Sequence, residues 1–286
     1  IKMNIQVKEI LYLLFIRVPF YILGKYRKNH VKVHWGRGLH NFGDCLQPST
    51  LKHYGLTPYY VTSMEKADVI MAGSILQWLS PSYEGYIIGT GGDDRKYNFP
   101  SAKVLALRGS KTLHNFSKKS SCILGDTGLI MPYVFPNVEE KKYDLGVIPH
   151  FVDEYNEKFL RLASFPKVKI INVLQSPEKV IKQIKQCKYI ASSSLHGLII
   201  ADAYHIPNIR IVDYDTFAYP ACNYKFEDYY SALGLEDNPF VMRGNERKDQ
   251  LIALATVKPV EKIEKIQKAL DEVMRQFAHI IKQRQR

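Results

Sequence analysis

What most constrains this chain is a unit that recurs along it: a short apolar strand, a turn of small residues, then a helical stretch. The run ADVIMAGS puts a strand at 68–71 before Ala, Gly and Ser. EGYIIGTGGDD repeats the form, with a strand at 86–88 and a glycine-rich turn. Further units follow: a short strand at 31–35 with the loop HNFGDC, the strand–turn–helix run KVLALRGSKTLHNF, and CILGDTGL. Strands buried on both faces and alternating with helices form parallel sheets covered by helices. The series breaks at MPYVFPNVEEKKYD, with Pro132, Pro136 and a charged run, and restarts from Asp144. There the order is strand LGVIPH, helix at about 153–163, strand VKIINVL, helix PEKVIKQIKQC, strand YIASSS, helix HGLIIADAYH and strand NIRIVD.

The fold class predicted is therefore α/β, with two Rossmann-like doubly wound domains and a cleft between them. Residues 1–140 form the first domain, with 1–30 an apolar and basic N-terminal segment. Residues 141–260 form the second, and 261–286 form a C-terminal amphipathic helix. In that helix Ile263, Ile266, Leu270, Val273, Phe277 and Ile280 fall at spacings of three and four, which is one apolar stripe packed on the core. Open α/β sheets bind ligands at the carboxyl ends of their strands, so function belongs in the loops after strands where the two domains face each other.

A chain of 286 residues can bury full cores without disulfide or metal staples. Cys45, Cys122, Cys187 and Cys222 are far apart and show no zinc spacing, which fits reduced thiols in a cytoplasmic protein. Lys and Arg number 40 against 28 Asp and Glu, a formal net charge of +12. That excess draws anionic partners. No nucleic-acid-binding module accompanies it, so phosphorylated substrates and anionic membranes remain. Residues 10–23 are apolar apart from Arg17, too short to span a bilayer, and Lys25, Arg27 and Lys28 follow. Such a stretch either lies peripherally at an inner membrane or packs on the protein's own core.

The most informative segment is CKYIASSSLHGLIIADAYHIP, 187–207. An apolar strand runs into Ser192, Ser193 and Ser194, and Leu195, His196 and Gly197 open a helix. Free N–H groups and a partial positive charge at a helix start make an anion site of the phosphate-binding type. His196 stands at its mouth, where an imidazole can carry a proton. The plainer alternative is a serine N-cap followed by a packed histidine.

This segment resembles the polysaccharide pyruvyl transferases, which carry a strand, a Ser-rich turn, Leu-His-Gly, an apolar helix and an Ile-Pro ending. Many members have Arg just before Leu-His. Here Ser194 stands there, which suggests the branch that includes the succinoglycan-type enzymes, and the anion-holding cation either comes from elsewhere or is absent. HNFGDCLQP (40–48) is similar to the family's Asn-x-Gly-Asp loop, ADVIMAGSIL (67–76) to its Asp-x-Ile-x-Gly-Gly turn, and IIGTGG to its Gly-x-Gly turn. LALRGSKT (105–112), LGDTGLIMP and GVIPHFVD (146–153) resemble further elements in the same order. The resemblance covers about 31–215. It implies a GT-B-like pair of domains and phosphoenolpyruvate as donor, with a lipid-linked oligosaccharide or polysaccharide precursor as acceptor. It implies no metal and no separate cofactor.

Phosphoenolpyruvate carries a carboxylate and a phosphate, so its site needs cations and oriented N–H groups. Arg108, after a strand, suits a carboxylate or phosphate held by two hydrogen bonds, and Lys111 is a second candidate. His150 ends the strand VIPH and is a second acid/base or a phosphate donor. Asp44 orients a basic residue, accepts the acceptor's hydroxyl proton, or caps a helix running to about Tyr54. Asn41, Gly43, Gly73, Ser74 and Gly91 are assigned to the donor site, and Gly89 allows a close backbone approach or positive φ. His34, His40 and His53 read as structural, and Asp93 and Asp94 as solvated acids. Two competing readings are a GT-B glycosyltransferase using a sugar nucleotide and a non-catalytic, membrane-associated scaffold of polysaccharide assembly.

Overall fold

The structure, a computed structural model, describes residues 27–35, 41–117, 121–214 and 220–284, with isolated positions before them. Apart from four isolated positions, the apolar stretch at 10–23 lies outside the described residues, as does His40. Eleven strands build two parallel sheets among the described residues. The first holds β1 (His30–Val33), β2 (Thr57–Tyr60), β3 (Val69–Met71), β4 (Tyr86–Thr90), β5 (Lys103–Leu107) and β6 (Ile123–Leu124). Its order is β2-β1-β3-β4-β5-β6. The second holds β7 (Tyr143–Ile148), β8 (Val168–Ile170), β9 (Cys187–Ser192), β10 (Asn208–Asp213) and β11 (Phe240–Met242). Read from its other edge, its order is β8-β7-β9-β10-β11. The two sheets therefore repeat one winding, and each reverses between its first and third strands. That reversal is where doubly wound sheets bind ligands.

The helices used below are α1 (Leu46–His53), α2 (Ser110–His114), α3 (Pro177–Lys185), α4 (Leu195–Ala203), α5 (Pro220–Leu233), α6 (Lys248–Leu254) and α7 (Val260–Gln283). Local chemistry explains several of them. In α3, Pro is at the first position, Glu178 lies in the first turn, and Lys182 and Lys185 lie in the last, while Val180, Ile181 and Ile184 face the core. Every residue of α4 is buried, as expected of a helix that is apolar all round. In α7 the buried stripe is Ile263, Ile266, Leu270, Met274, Phe277 and Ile281, with Val273 and Ile280 at its margin.

Several local expectations change. Thr57–Tyr60 is a strand despite Pro58, and it sits at the sheet edge, where a missing N–H does least harm. The helix expected at 153–163 is broken into short turns, Phe151–Asp153, Glu157–Leu160 and Arg161–Ser164. Cys45, not Asp44, is the N-cap of α1, and it caps with no side-chain bond. The segment after β10, to which the sequence motifs assign no element, supplies α5, β11 and α6.

One hydrophobic core joins the two sheets, with Val33, Met71 and Ile88 in the same cluster as Ile148, Ile190 and Leu198. Two helices cross between the lobes. Helix α7 follows the second sheet yet lies on the first. Ile266 and Leu270 fill the space a side chain at Gly125 would need, Tyr54 donates to Asp271 at 2.8 Å, and Phe277 packs on Tyr86. Helix α5 packs against α2. Its Asp228 takes Arg108 Nε at 2.9 Å, Thr112 Oγ1 at 2.7 Å and Thr112 N at 2.8 Å, and both charged side chains are fully buried. Its Tyr229 hydroxyl donates to Asp202 of α4 at 2.8 Å.

Removing one partner of a buried ion pair strands the other, at a cost of about 3–5 kcal/mol. Asp228→Ala should therefore lower unfolding stability by about that amount, read as a urea midpoint shift. Glu227→Ala, which removes the half-exposed partner of Lys111, should change it by less than about 1 kcal/mol.

Candidate active site

The switch points of the two sheets converge. From the first sheet, the loop after β1 brings Asn41, Phe42, Gly43 and Asp44. Asn41 Oδ1 accepts from the Gly43 N–H at 3.2 Å and shapes the turn, and the Phe42 N–H donates across to the Val173 carbonyl at 2.9 Å. After β3, Ala72 and Gly73 both have positive φ, 49° and 75°, which turns the chain sharply into Ser74. A side chain at Gly73 would strike Asp44 Oδ1, so the Asp44 carboxylate lies directly over this turn.

From the second sheet come His150, after β7, and Ser192, Ser193 and Ser194, after β9. Ser192 Oγ donates to the Ser194 carbonyl at 2.8 Å and to the Ile148 carbonyl at 3.0 Å, and accepts from the Ser194 N–H at 3.0 Å. Ser193 Oγ donates to Asp153 at 2.6 Å and accepts the His150 N–H at 2.8 Å. These two hydroxyls are thus spent on building the turn. Ser194 occupies the N-cap of α4 and makes no side-chain cap. Gly197 lets the helix start approach the strand ends, because a Cβ there would meet Ser192 Oγ at 2.4 Å. Leu195 is buried beside it.

His196 therefore emerges from the second lobe onto the first. Its Nδ1 lies 2.1 Å from where a Gly43 Cβ would stand, so only glycine there leaves room for the ring. Phe42 meets the imidazole edge-on, with centroids 6.3 Å apart. The other nitrogen, Nε2, is enclosed and unpaired, 3.9 Å from Asp126 Oδ1. Asp126 caps the turn Thr127–Ile130, accepting the Gly128 N–H at 2.8 Å.

Lys225 of α5 completes the group. Its Nζ is 3.5 Å from His150 Nε2. Burial, with Arg108 adding to it and Asp44 opposing it, pulls the Lys225 amine down to about 8. Burial holds His196 at about 4, against the pull of Asp44, with Arg108 and Lys225 also lowering it. His150 is lowered to about 3, by burial first and then by Lys225 and His196. Asp44 is raised by burial, against His196 and Lys225. Burial lifts Asp126 to about 6, although the Gly128 N–H favours its charged form. At neutral pH both imidazoles are uncharged, able to donate and accept, and Lys225 brings a positive charge beside them.

The sequence-predicted residues thus divide. His196, His150, Asp44 and Gly43 meet in this cluster, next to Asn41, Gly73 and the α4 start. Arg108 is close enough to influence Lys225 and His196, but its donors are engaged. Nε goes to Asp228, Nη1 to Ser74 Oγ at 2.6 Å and Nη2 to the Gly92 carbonyl at 3.4 Å. Gly91 must be glycine for Arg108 to lie there, since a Cβ would fall 2.4 Å from the guanidinium carbon. Lys111 is half-exposed and paired with Glu227, away from the histidines. Lys225 and Asp126 are functional candidates the sequence did not single out. Asp126 lies in the motif LGDTGLIMP, whereas Lys225 lies in no recognisable pattern. Among the described residues, no group of three or more His, Cys, Asp and Glu is arranged to hold a metal ion.

Residues 7–216 match the sequence model of a family described as polysaccharide pyruvyl transferase. An uncharacterized protein of Acanthamoeba polyphaga mimivirus is 34% identical over 125 residues, 42% of this chain and 43% of that protein. The chain thus spans less than half the length of that relative.

Gly43→Ala should displace the His196 ring or the loop, at about 1–3 kcal/mol of stability for overpacking. Chemical denaturation measures the cost, and the ring resonances of His196 report the displacement.

Proposed function

The chain belongs to the polysaccharide pyruvyl transferase family, and on that premise we propose that it moves the pyruvyl group of phosphoenolpyruvate onto a sugar of a polysaccharide or lipid-linked oligosaccharide precursor. Membership supports a transferase acting in polysaccharide synthesis, and that activity is part of the proposal. The donor, the acceptor and the geometry of transfer are our reading. The observation that carries it is the meeting of His196, His150, Asp44 and Lys225 at the switch points of both sheets.

In this reading the two lobes form a GT-B-like pair, and the donor lies between them, against the N-terminal turn of α4. Lys225 and the N–H groups of that turn face the donor's negative charges. Arg108 adds its field from behind while remaining paired to Asp228. Lys225 thus takes the place of the arginine that many relatives carry at the Ser194 position. Ser192, Ser193 and Gly197 hold the turn in shape, and Lys111 lies at the rim.

The reaction begins with a proton delivered to the methylene carbon of the enol, for which His196 is the assigned acid. The carbon–carbon π pair forms the new C–H bond and leaves an oxocarbenium-like centre at C2. One sugar hydroxyl adds there, and Asp44 or His150 accepts its proton. The C2–O bond to phosphate then breaks, and a second hydroxyl of the same sugar closes the ketal. Phosphoenolpyruvate and a diol become a ketal and inorganic phosphate, with no redox change. A resting pKa near 4 suits an acid only if it rises when the donor binds, and the donor's negative charges supply that rise.

The acceptor's lipid anchor would place the enzyme at the cytoplasmic face of a membrane, and the +12 charge favours an anionic surface. Among the described residues no helix is long and apolar enough to cross one.

Phosphoenolpyruvate should raise the melting temperature and sugar nucleotides should not. With a panel of lipid-linked sugars, the protein should release phosphate from phosphoenolpyruvate, and His196→Ala should reduce the rate at least ~100-fold. Stabilisation by a sugar nucleotide instead would reverse the donor assignment. Because Lys225 is charged only below about 8, donor affinity should weaken as pH rises through that value, approaching tenfold per unit, which calorimetric titration reads. Lys225→Arg should flatten that dependence, and Lys225→Met should bind weakly throughout.

A further inference from the structure

Two buried side chains in the cluster face each other without bonding. His196 Nε2 stands 3.9 Å from Asp126 Oδ1, beyond the ~2.7–3.2 Å of an N–H···O bond. Nε2 and Asp126 Oδ2 are both enclosed and have no partner. Native proteins seldom leave buried polar atoms in that state, and where they do a catalytic role is one of the usual reasons.

The carboxylate is the fixed member. Asp126 is held by the Gly128 N–H, Gly125 before it is pressed by Ile266 and Leu270 of α7, and Gly128 lies against Ile199 of α4. Bringing Nε2 and Oδ1 to hydrogen-bond range takes a shift of about 1 Å. The other groups around the ring are Asp44, Arg108, Lys225, His150 and the Phe42 ring. Asp126 alone of the carboxylates faces the enclosed nitrogen at this range among the described residues.

We propose that Asp126 is the positioning residue of His196: it accepts a hydrogen bond from Nε2–H and leaves Nδ1, on the Gly43 and Asp44 side, as the nitrogen that exchanges a proton with substrate. This rests on the assignment of His196 as the acid. In the reaction, imidazolium Nδ1–H gives its proton to the enol carbon, whose π pair takes it. The imidazole stays bonded to Asp126 through Nε2, and Nδ1 is reprotonated from the attacking hydroxyl, directly or through Asp44. The carboxylate stabilises the imidazolium form and fixes which nitrogen meets the substrate.

The test has two arms on the full chain. The first needs no substrate: the carboxyl of Asp126, labelled with carbon-13, is titrated by NMR and assigned with Asp126→Asn. An N–H donor favours the charged carboxylate. Burial and the Gly128 N–H, with no part played by His196, account for a midpoint of about 6. A bond from His196 should hold the wild-type midpoint below that, and His196→Phe, which keeps a planar ring but removes the donor, should raise it. An unchanged midpoint would overturn the proposal. In the second arm Asp126→Asn, which retains a cap oxygen, should lower kcat for phosphate release about 100-fold or more. It should leave the melting temperature and the KM for phosphoenolpyruvate near wild type. A wild-type kcat in this variant would also overturn the proposal. If the wild-type protein releases no phosphate with any acceptor, the pyruvyl-transfer reading fails, and the carboxyl titration still decides whether the two side chains are paired.

Discussion

A guanidinium and a carboxylate sealed between the lobes organise this molecule. Arg108 follows β5 in the first lobe, and Asp228 comes from α5, after the second sheet's fourth strand. Neither could be buried alone at tolerable cost. Once paired, they require glycine at 91 for the guanidinium and at 109 for the backbone of α5, and they bring Ser74 and Thr112 into the same network. The pair also seats α5 so that Lys225 stands beside His150. The interaction that joins the lobes therefore sets the electrostatics of the site as well. The positive charge of Arg108 depresses the proton affinity of both Lys225 and His196.

That coupling gives the site a definite resting state. Two imidazoles are kept neutral by burial and by neighbouring cations, two carboxylates are raised by burial, and one amine sits near the edge of ionisation. An anion entering such a place meets fixed donors with little rearrangement, which is the condition under which electrostatics help most. It also changes the balance it enters, favouring protonation of the imidazole next to it.

Much of this was readable from residue order and some was not. Apolar triplets such as Val69–Met71, followed by small residues, announce a buried parallel strand, and the Ser-rich turn before Leu195 announces a helix start facing a ligand. The winding follows, because short apolar strands leave few alternatives. Asp44 was ambiguous in sequence, since an acid before a helix can cap it or face a cleft. In the fold Cys45 takes the cap position, and the Asp44 carboxylate lies over the turn at Gly73. Arg108 looked like a free cation because its partner lies 120 residues away, a pairing that no local pattern encodes. Lys225 was hidden for the same reason. Its neighbours on α5 are polar and aromatic residues whose partners lie on other elements, so neither a motif nor a clear apolar period marks the helix.

The return of α7 to the first lobe bears on how the protein is made. The first sheet is synthesised early, yet the helix that covers Tyr86 and presses on Gly125 is synthesised after the whole of the second sheet. A nascent chain leaving the ribosome would ordinarily fold its leading domain first. Here that domain must wait with part of its apolar surface bare, while the lobe behind it already has its strands and α4 in hand. Completion of the first lobe thus waits for the synthesis of the last helix, whose Gln267 also bonds the Ala203 carbonyl at the end of α4.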